Sequence, residues 1–381
     1  MLIIVQRIFP IYRKFFFDKL FKIQPFILVH GRNSGLIKQV NTVYSKRVFS
    51  FNLLRKETTV FLNILSIFFK HSPKIVIHEF ALCMPSLFIS LIFQKVRGKK
   101  FVIWGHGYDK KKGFNPSRSV LDYLRLKCLQ WSDAIILYDS DTRNSLSSFL
   151  DKKKMFVANN TLDTDYLLKI RDQIRKEKIQ FLRQKHKFKY KYNLRYIGRL
   201  IPHKWPKLIV NVFEELPLET RNITGVHIIG DGPEEKEMID LVKHKGFEEN
   251  IKFYGSIHDE RILGELLWLS DLLINPGYIG LSVVHAFCFG CPVVTFEQTE
   301  SGPYHSPEII NVIHNETGYR IRDLDVKLMA ETILFQLLNE NISRGIKLKV
   351  QEYVKNNLQV KFMIEGFTSA IKFLDENPSN S

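Results

Sequence analysis

Short, uniformly apolar runs alternate with longer stretches of helical periodicity over most of the chain. In the first half the runs Leu2–Val5, Phe26–Val29, Lys74–Ile77, Phe101–Trp104, Ala134–Tyr138 and Met155–Ala158 are separated by helical stretches such as Val60–Lys70, Pro85–Val96 and Val120–Trp131. That alternation predicts βαβ units and a parallel sheet. Strands this apolar are buried on both faces, so helices must lie above and below them. From Leu167 to Lys191 the sequence is basic and helix-prone, with no buried-strand pattern, and the alternation then restarts. The second set of strands is Leu194–Ile197, Gly225–Ile229, Ile251–Phe253, Leu272–Ile274 and Pro292–Phe296, with helices starting at Pro206, Glu234, Asp259 and Leu281. A helix near Asp325–Leu338 and a final segment Val350–Leu374 close the chain.

The expected architecture is α/β, with two Rossmann-like doubly wound domains, 1–185 and 186–350, facing a central cleft. Residues 351–381 are expected to form a C-terminal helix that packs back toward the first domain. Ligands of such sheets sit at the carboxyl ends of the strands. A length of 381 residues suits two cores, and a hydrophobic fraction of 45% sets disorder aside.

Charge changes this picture because it is unevenly spread. Residues 1–190 hold 36 Lys+Arg against 13 Asp+Glu, a net of +23, while the remainder has a net of −6. The first half is therefore expected to meet something anionic: lipid headgroups, a lipid-diphosphate acceptor or nucleic acid. A basic surface kept only for solubility is the plainer alternative. Nucleic acid is set aside as a partner, since no binding motif accompanies the charge. Four cysteines, Cys83, Cys128, Cys288 and Cys291, do not make a disulfide scaffold in a chain this long. The opening Met1–Val5 reaches Gln6 and Arg7 too soon for a signal-peptide core. The longest apolar run, Phe80–Phe93, is about 14 residues, contains Pro85 and falls short of a bilayer span. The expected location is cytoplasmic, peripheral on the inner face of the cytoplasmic membrane and without a spanning helix. The run from Tyr12 to Lys22, rich in Phe and Lys, reads equally as an interfacial helix or as a first Rossmann helix with a buried Phe face.

Three strand-to-helix turns in the second half look built for phosphate. The first, Tyr196 to Lys204, places Arg199 and Lys204 in the loop after a strand, where a guanidinium fork and a point charge can clamp a diphosphate. The second, Ile229-Gly230-Asp231-Gly232-Pro233-Glu234, has two glycines for a tight turn and a proline suited to the first helical position. It lacks the third glycine of a dinucleotide fingerprint, so no nicotinamide cofactor is implied. The third runs from Asn275 through Gly280, Leu281, Ser282 and His285 to Pro292, a helix start whose free N–H groups favour a phosphate. His285, Cys288 and Cys291 are spaced by threes but supply only three ligands, with no second pair at zinc-site spacing, so no metal is expected.

In this order and spacing the three turns resemble the donor-binding domain of GT-B glycosyltransferases. The similarity is strongest to the retaining group that builds bacterial surface polysaccharides, the glycosyl transferases group 1. It covers roughly Tyr196 to Arg322, including Phe253-Tyr254-Gly255, Leu269-Ser270-Asp271 and His314-Asn315-Glu316-Thr317-Gly318-Tyr319. The resemblance implies that Arg199 and Lys204 bind the donor diphosphate, with Gly230, Gly232, Gly280, Leu281, Ser282 and His285 around the nucleotide. The family's Glu-x7-Glu signature reads Gly277 and His285 here. The second glutamate ordinarily accepts hydrogen bonds from the ribose, which a neutral His ring nitrogen can do. The first lies near the transferred sugar, and Gly277 cannot replace it, which bears on the donor and on anomeric stereochemistry.

In the first half, Ile103-Trp104-Gly105-His106-Gly107 resembles the family's loop carrying an active-site histidine. Gly105 and Gly107 let the backbone approach a sugar, and His106 can hydrogen-bond a hydroxyl or relay a proton. The segment Arg7 to Arg13 resembles the first loop, where acceptor and donor phosphates approach, and Glu79 ends another strand. The implied activity is transfer of a sugar from a nucleotide-diphosphate donor to a glycan or lipid-linked acceptor in lipopolysaccharide, O-antigen, capsule or exopolysaccharide assembly. No cofactor is needed, and the basic first domain faces an anionic membrane. Two alternatives stay open: a sugar-nucleotide epimerase of the same fold, and a catalytically decayed relative acting as an assembly protein at the membrane surface.

Overall fold

A computed structural model describes residues 1–31, 39–53, 58–61 and 63–377. They divide into two compact units, one made of Met1–Asp163 with the C-terminal segment from Val360, the other of Thr164–Gln359.

The first unit is built on a seven-stranded parallel sheet in the order Ser45–Arg47, Phe26–His30, Leu2–Gln6, Ile75–Glu79, Lys100–Gly105, Ala134–Leu137, Met155–Val157. Successive residues of a strand face opposite sides. Leu2 and Ile4 thus join one core with Phe16, Phe17 and Leu20 of the helix Lys14–Ile23. Ile3 and Val5 join the other with Ile67, Phe68, Leu87, Leu91 and Leu129 of the helices Ile64–His71, Pro85–Val96 and Val120–Trp131. Phe16 and Phe17 are wholly buried, so the helix that follows Tyr12 is the Rossmann helix with a buried Phe face. The helix expected from Val60 begins only at Ile64, because Thr58–Phe61 pairs with Ser50–Leu53 as an antiparallel ribbon. Its Thr-Thr-Val-Phe sequence favours a strand.

The second unit holds a six-stranded parallel sheet in the order Ile251–Phe253, Thr224–Ile229, Tyr192–Ile197, Leu272–Ile274, Val293–Phe296, Gly318–Ile321. Numbered within the unit this is 3-2-1-4-5-6, the doubly wound Rossmann order. The edge strand Gly318–Ile321 was expected only as part of a turn. Gly318 is what lets it close on the sheet, since a Cβ there would lie 2.1 Å from the Val293 carbonyl oxygen.

The units divide at Asp163 and Thr164 rather than near residue 185. The helices Thr164–Ile174 and Ile179–Lys185 belong to the second unit because Glu265, buried on the helix Glu260–Trp268, takes ion pairs from Lys185 and His186 at 2.7 Å each. The last helical stretch is broken in two. Glu340–Tyr353 and a π turn at Val354–Leu358 stay with the second unit, and Val360–Glu376 packs on the first through Val360, Met363, Phe367 and Ile371.

Candidate active site

Strand order sets a site in each unit. The order reverses between Tyr192–Ile197 and Leu272–Ile274 in the second unit, and between Leu2–Gln6 and Ile75–Glu79 in the first. At such switch points the connections depart to opposite faces and leave a crevice at the carboxyl ends of the strands.

In the second unit the first and third turns leave these two strands and are tied together. The Tyr278 N–H donates to the His203 carbonyl at 3.0 Å, and the Lys204 ammonium donates to the Tyr278 carbonyl at 3.0 Å. Lys204 is buried, and burial, followed by the charge of Arg199, pushes it down to about 8, with Glu308 opposing the shift. It therefore remains a cation at neutral pH, held in place, while Arg199 is exposed and free to close on a ligand. Gly198 leaves room for the ammonium, which lies 3.3 Å from the position of a Cβ there.

Gly277 is fixed by the same contact. A Cβ at that position would lie 2.2 Å from the Lys204 carbonyl carbon and 2.5 Å from its Cα. The space a side chain at 277 would enter is thus taken by the main chain of Lys204. The following loop is pinned from behind. His305 Nδ1 accepts from the Ile279 N–H at 3.2 Å while Nε2 lies 3.0 Å from the Phe296 carbonyl, a pattern that assigns the Nε2–H tautomer. Burial holds His305 at about 4, so it stays neutral. Ser306 Oγ adds a hydrogen bond to the Ile279 carbonyl at 2.7 Å and lies against the buried Glu308 carboxylate.

Gly230 and Gly232 have φ of 139° and 150°, which suits glycine alone. Their Cβ positions would fall 1.8 Å from the Gly198 oxygen and 2.3 Å from the Leu200 oxygen. The space beside them is filled by the chain's own backbone, so they let the Gly198–Leu200 turn close against Asp231. The Leu200 N–H donates to the Asp231 carbonyl at 2.7 Å. Gly280 and Leu281 lead into the helix Ser282–Cys288, and the Gly280 carbonyl accepts from the Val283 N–H at 3.1 Å. Ser282 Oγ and both ends of the wholly buried Asn275 amide have no hydrogen-bond partner among the described residues. His285 Nε2 lies 2.8 Å from Glu260 Oε2, and its ring stacks on Phe289. A carboxylate from another helix, Glu260–Trp268, thus lies beside position 285. Burial raises both the Cys288 and Cys291 thiols. Among the described residues no cluster of three or more His, Cys, Asp or Glu could hold a metal.

In the first unit, Arg7 and Glu79 end the two switch-point strands and pair there. The Arg7 N–H and Nε donate to the two Glu79 oxygens at 2.8 and 2.9 Å. Glu79 therefore holds the first loop rather than projecting as a solvated carboxylate. Further along that loop, the Arg13 guanidinium lies over Trp104 at 4.9 Å and donates to the Tyr138 hydroxyl at 3.0 Å. Arg13 Nε and Trp104 Nε1 are buried donors with no hydrogen-bond partner among the described residues.

His106 packs on the Tyr138 ring at 4.8 Å and keeps an open edge to solvent. The protein around its other side, then the charges of Lys110 and Arg13, push it down to about 4. It is a neutral imidazole at physiological pH, able to accept a proton. Gly105 packs on Phe80, and Gly107, at φ +72°, joins His106, Phe80, Leu82, Tyr108 and Leu121 in lining a cavity of about 540 Å³.

Residues 178–356 match the family model of glycosyl transferases group 1. That match lies within the second unit, Thr164–Gln359. An uncharacterized glycosyltransferase of Methanocaldococcus jannaschii is 22% identical over 266 residues, 63% of this chain and 66% of that relative's length. The fold is that of the GT-B glycosyltransferases. The structure of Anabaena HepE in complex with UDP superposes with a TM-score of 0.72 at 14% identity, covering 97% of this chain and 99% of that one. WaaG, described as a glycosyltransferase involved in lipopolysaccharide biosynthesis, gives 0.63 at 13% identity, covering 97% and 99%.

Glu260, Asn275, His305 and Glu308 were not singled out from the sequence. Glu260 and His305 reach these turns through contacts 25 and 26 residues apart in sequence, while Asn275 lies in the third turn itself with its amide unpartnered among the described residues and Glu308 lies against Ser306.

Proposed function

We propose that the protein is a nucleotide-sugar-dependent glycosyltransferase that acts on a glycan or lipid-linked glycan in cell-surface polysaccharide assembly. The observation that carries this reading is Lys204: a buried ammonium, locked onto the Tyr278 carbonyl, at the switch point of the unit that the group 1 model matches. In the reaction an acceptor hydroxyl attacks the anomeric carbon, the bond from that carbon to the diphosphate oxygen breaks, and the diphosphate leaves. Lys204 and Arg199 would stabilise the charge that develops on the leaving group, and fixed cations are worth most where little reorganisation is needed. Gly280, Leu281, Ser282 and the unpartnered Asn275 amide would complete the nucleotide side, with His285 and Glu260 as the ribose-facing pair. His106 would contact the transferred sugar or the incoming acceptor hydroxyl, with Arg13, Gly105 and Gly107 beside it.

The UDP complex of HepE and the description of WaaG support a nucleotide donor and a surface-glycan role for this chain. The decayed-enzyme alternative drew on the missing glutamate at 277. Because the Lys204 main chain occupies that space, the glycine is part of the turn's construction and gives no support to decay. The test is donor turnover and transfer by Lys204→Ala. A loss of at least about a hundredfold is expected for one preorganised charge, and unchanged turnover would sink the assignment.

A further inference from the structure

Glu308 is an acid buried where its own element does not need one. It stands in the first turn of the short 3-10 helix Pro307–Asn311 and is only 3% exposed. A carboxylate near a helix start gains from the dipole while still in water, so capping alone does not require burial. Charged side chains are rarely buried unless an opposite charge or hydrogen bonds compensate them. The groups that this carboxylate meets are therefore informative.

Ser306 connects it to the loop at Tyr278–Gly280. The Ser306 Oγ lies against the Glu308 carboxylate and 2.7 Å from the Ile279 carbonyl, and the Ser306 N–H donates to that same carbonyl at 3.2 Å. The preceding carbonyl, that of Tyr278, accepts from the Lys204 ammonium. Two consecutive carbonyls of the loop leading into the helix Ser282–Cys288 are thus held, one by a cation and the other by a hydroxyl that touches an anion.

Charge gives the contact a direction. Lys204 is buried close to Arg199, and both its burial and that guanidinium favour loss of the ammonium proton, while Glu308 acts in the opposite sense. The histidines around Lys204 do not share this task. His203, on the same turn, is exposed and held below its ordinary value by partial burial and by Lys204 and Arg199, and His305 is held at about 4 and stays neutral. Arg320, from the edge strand, donates to the Ile309 and Val312 carbonyls.

We propose that Glu308 is a positioning residue of the donor site: it holds Lys204 in its charged form and, through Ser306, fixes the Ile279 carbonyl at the start of the donor loop. The inference rests on Lys204 meeting a diphosphate. Before a ligand arrives, Lys204 and Arg199 repel one another across one turn, and Glu308 offsets that repulsion. Once a diphosphate is bound, its own charge takes over the task.

The experiment makes two measurements on the full chain, for wild type, Glu308→Gln and Ser306→Ala. The first follows the Cε resonance of isotope-labelled Lys204 against pH in the ligand-free protein, assigned with Lys204→Arg. Removing the carboxylate removes what retains the lysine proton, so the E308Q midpoint should lie below that of wild type. S306A keeps the carboxylate and should titrate as wild type does. The second measurement is UDP affinity by calorimetry. With Glu308 supplying the lower end of what one nearby opposite charge gives, affinity should fall from pH 7 to pH 8 by about twofold in wild type and about fivefold in E308Q. S306A should bind UDP about threefold more weakly at both pH values, the effect of one lost hydrogen bond. An E308Q protein with the wild-type midpoint and the wild-type pH ratio overturns the proposal, even if it melts lower, because a merely structural Glu308 would do that. S306A with unaltered UDP affinity overturns it as well, and decides the matter should E308Q not fold. A midpoint that moves as expected in a protein that binds no UDP supports the link between Glu308 and Lys204 and removes the nucleotide reading instead.

Discussion

Lys204 concentrates three features in one residue: its ammonium is fixed on the Tyr278 carbonyl, its carbonyl side fills the space at Gly277, and its burial lowers its affinity for a proton. The last gives a measurable pH dependence. A lysine held at about 8 is charged below that value and loses its proton as the pH rises through it. Above neutral pH the ligand's own terminal phosphate is already ionised. UDP affinity should therefore be level from about pH 7 to 7.5 and weaken by up to about tenfold per unit once the free enzyme titrates, because binding then carries a proton uptake. In Lys204→Met the weakening should vanish along with most of the affinity, and titration calorimetry in two buffers reads both. The second residue-scale expectation concerns Gly277. Gly277→Ala puts a methyl group 2.2 Å from the Lys204 carbonyl carbon, a backbone atom that cannot step aside as a side-chain tip would. Overpacking of this kind costs about 1–3 kcal/mol, so the variant should melt lower and bind UDP more weakly. A Gly277→Ala protein with unaltered nucleotide affinity would refute the tie between the two turns.

At the scale of elements, the strands were legible wherever an apolar run was long or bounded by turn residues. Ile251–Phe253, Leu272–Ile274 and the helix Pro85–Val96 fall where the pattern placed them. Gly318–Ile321 escaped because its inward residues are interrupted by Arg320 and it follows a glycine that reads as a turn. The boundary near residue 185 escaped for another reason: periodicity shows that Ile179–Lys185 is a helix but not which core it joins. Glu265 makes that choice. Its burial alone would raise the carboxyl, but hydrogen bonds from Lys185, Arg261 and His186 and the charge of Lys185 override it and hold the group at about 2. A carboxyl held low contributes stability above its ordinary value near 4.5 and loses it as the pH falls toward 2. Removing the charge leaves two cations, Lys185 and Arg261, and the His186 ring converging on a buried amide, and breaking a buried pair costs about 3–5 kcal/mol. Glu265→Gln should accordingly be destabilised by roughly that amount at pH 7 in urea unfolding. The gap between variant and wild type should narrow at pH 3.

For the whole molecule, alternation was enough to give two doubly wound parallel sheets. The contacts that brace the turns of the second unit were not legible, because Glu260 meets His285 across 25 residues of sequence and His305 meets Ile279 across 26. The chain path adds a consequence of its own. The first unit is discontinuous: its sheet is finished by residue 157, yet the core beneath it is closed by the helix Val360–Glu376, made after the entire second unit. Phe367 is the centre of that closure. It is wholly buried, packs on Phe16 at 4.9 Å and on Trp104 at 4.8 Å, and enters a core that also contains Ile136 and Ala158. Trp104 is the residue under the Arg13 guanidinium, so the helix Val360–Glu376 supports the loop that carries Arg13 through one aromatic contact. Phe367→Ala should cost about 3–5 kcal/mol, and the loss should fall on the first unit alone. In limited proteolysis, cuts within residues 1–163 should appear at denaturant concentrations where 164–359 remains protected. Simultaneous loss of both units would show that they unfold as one, while early cleavage confined to 164–359 would place the effect of the C-terminal helix in the wrong unit.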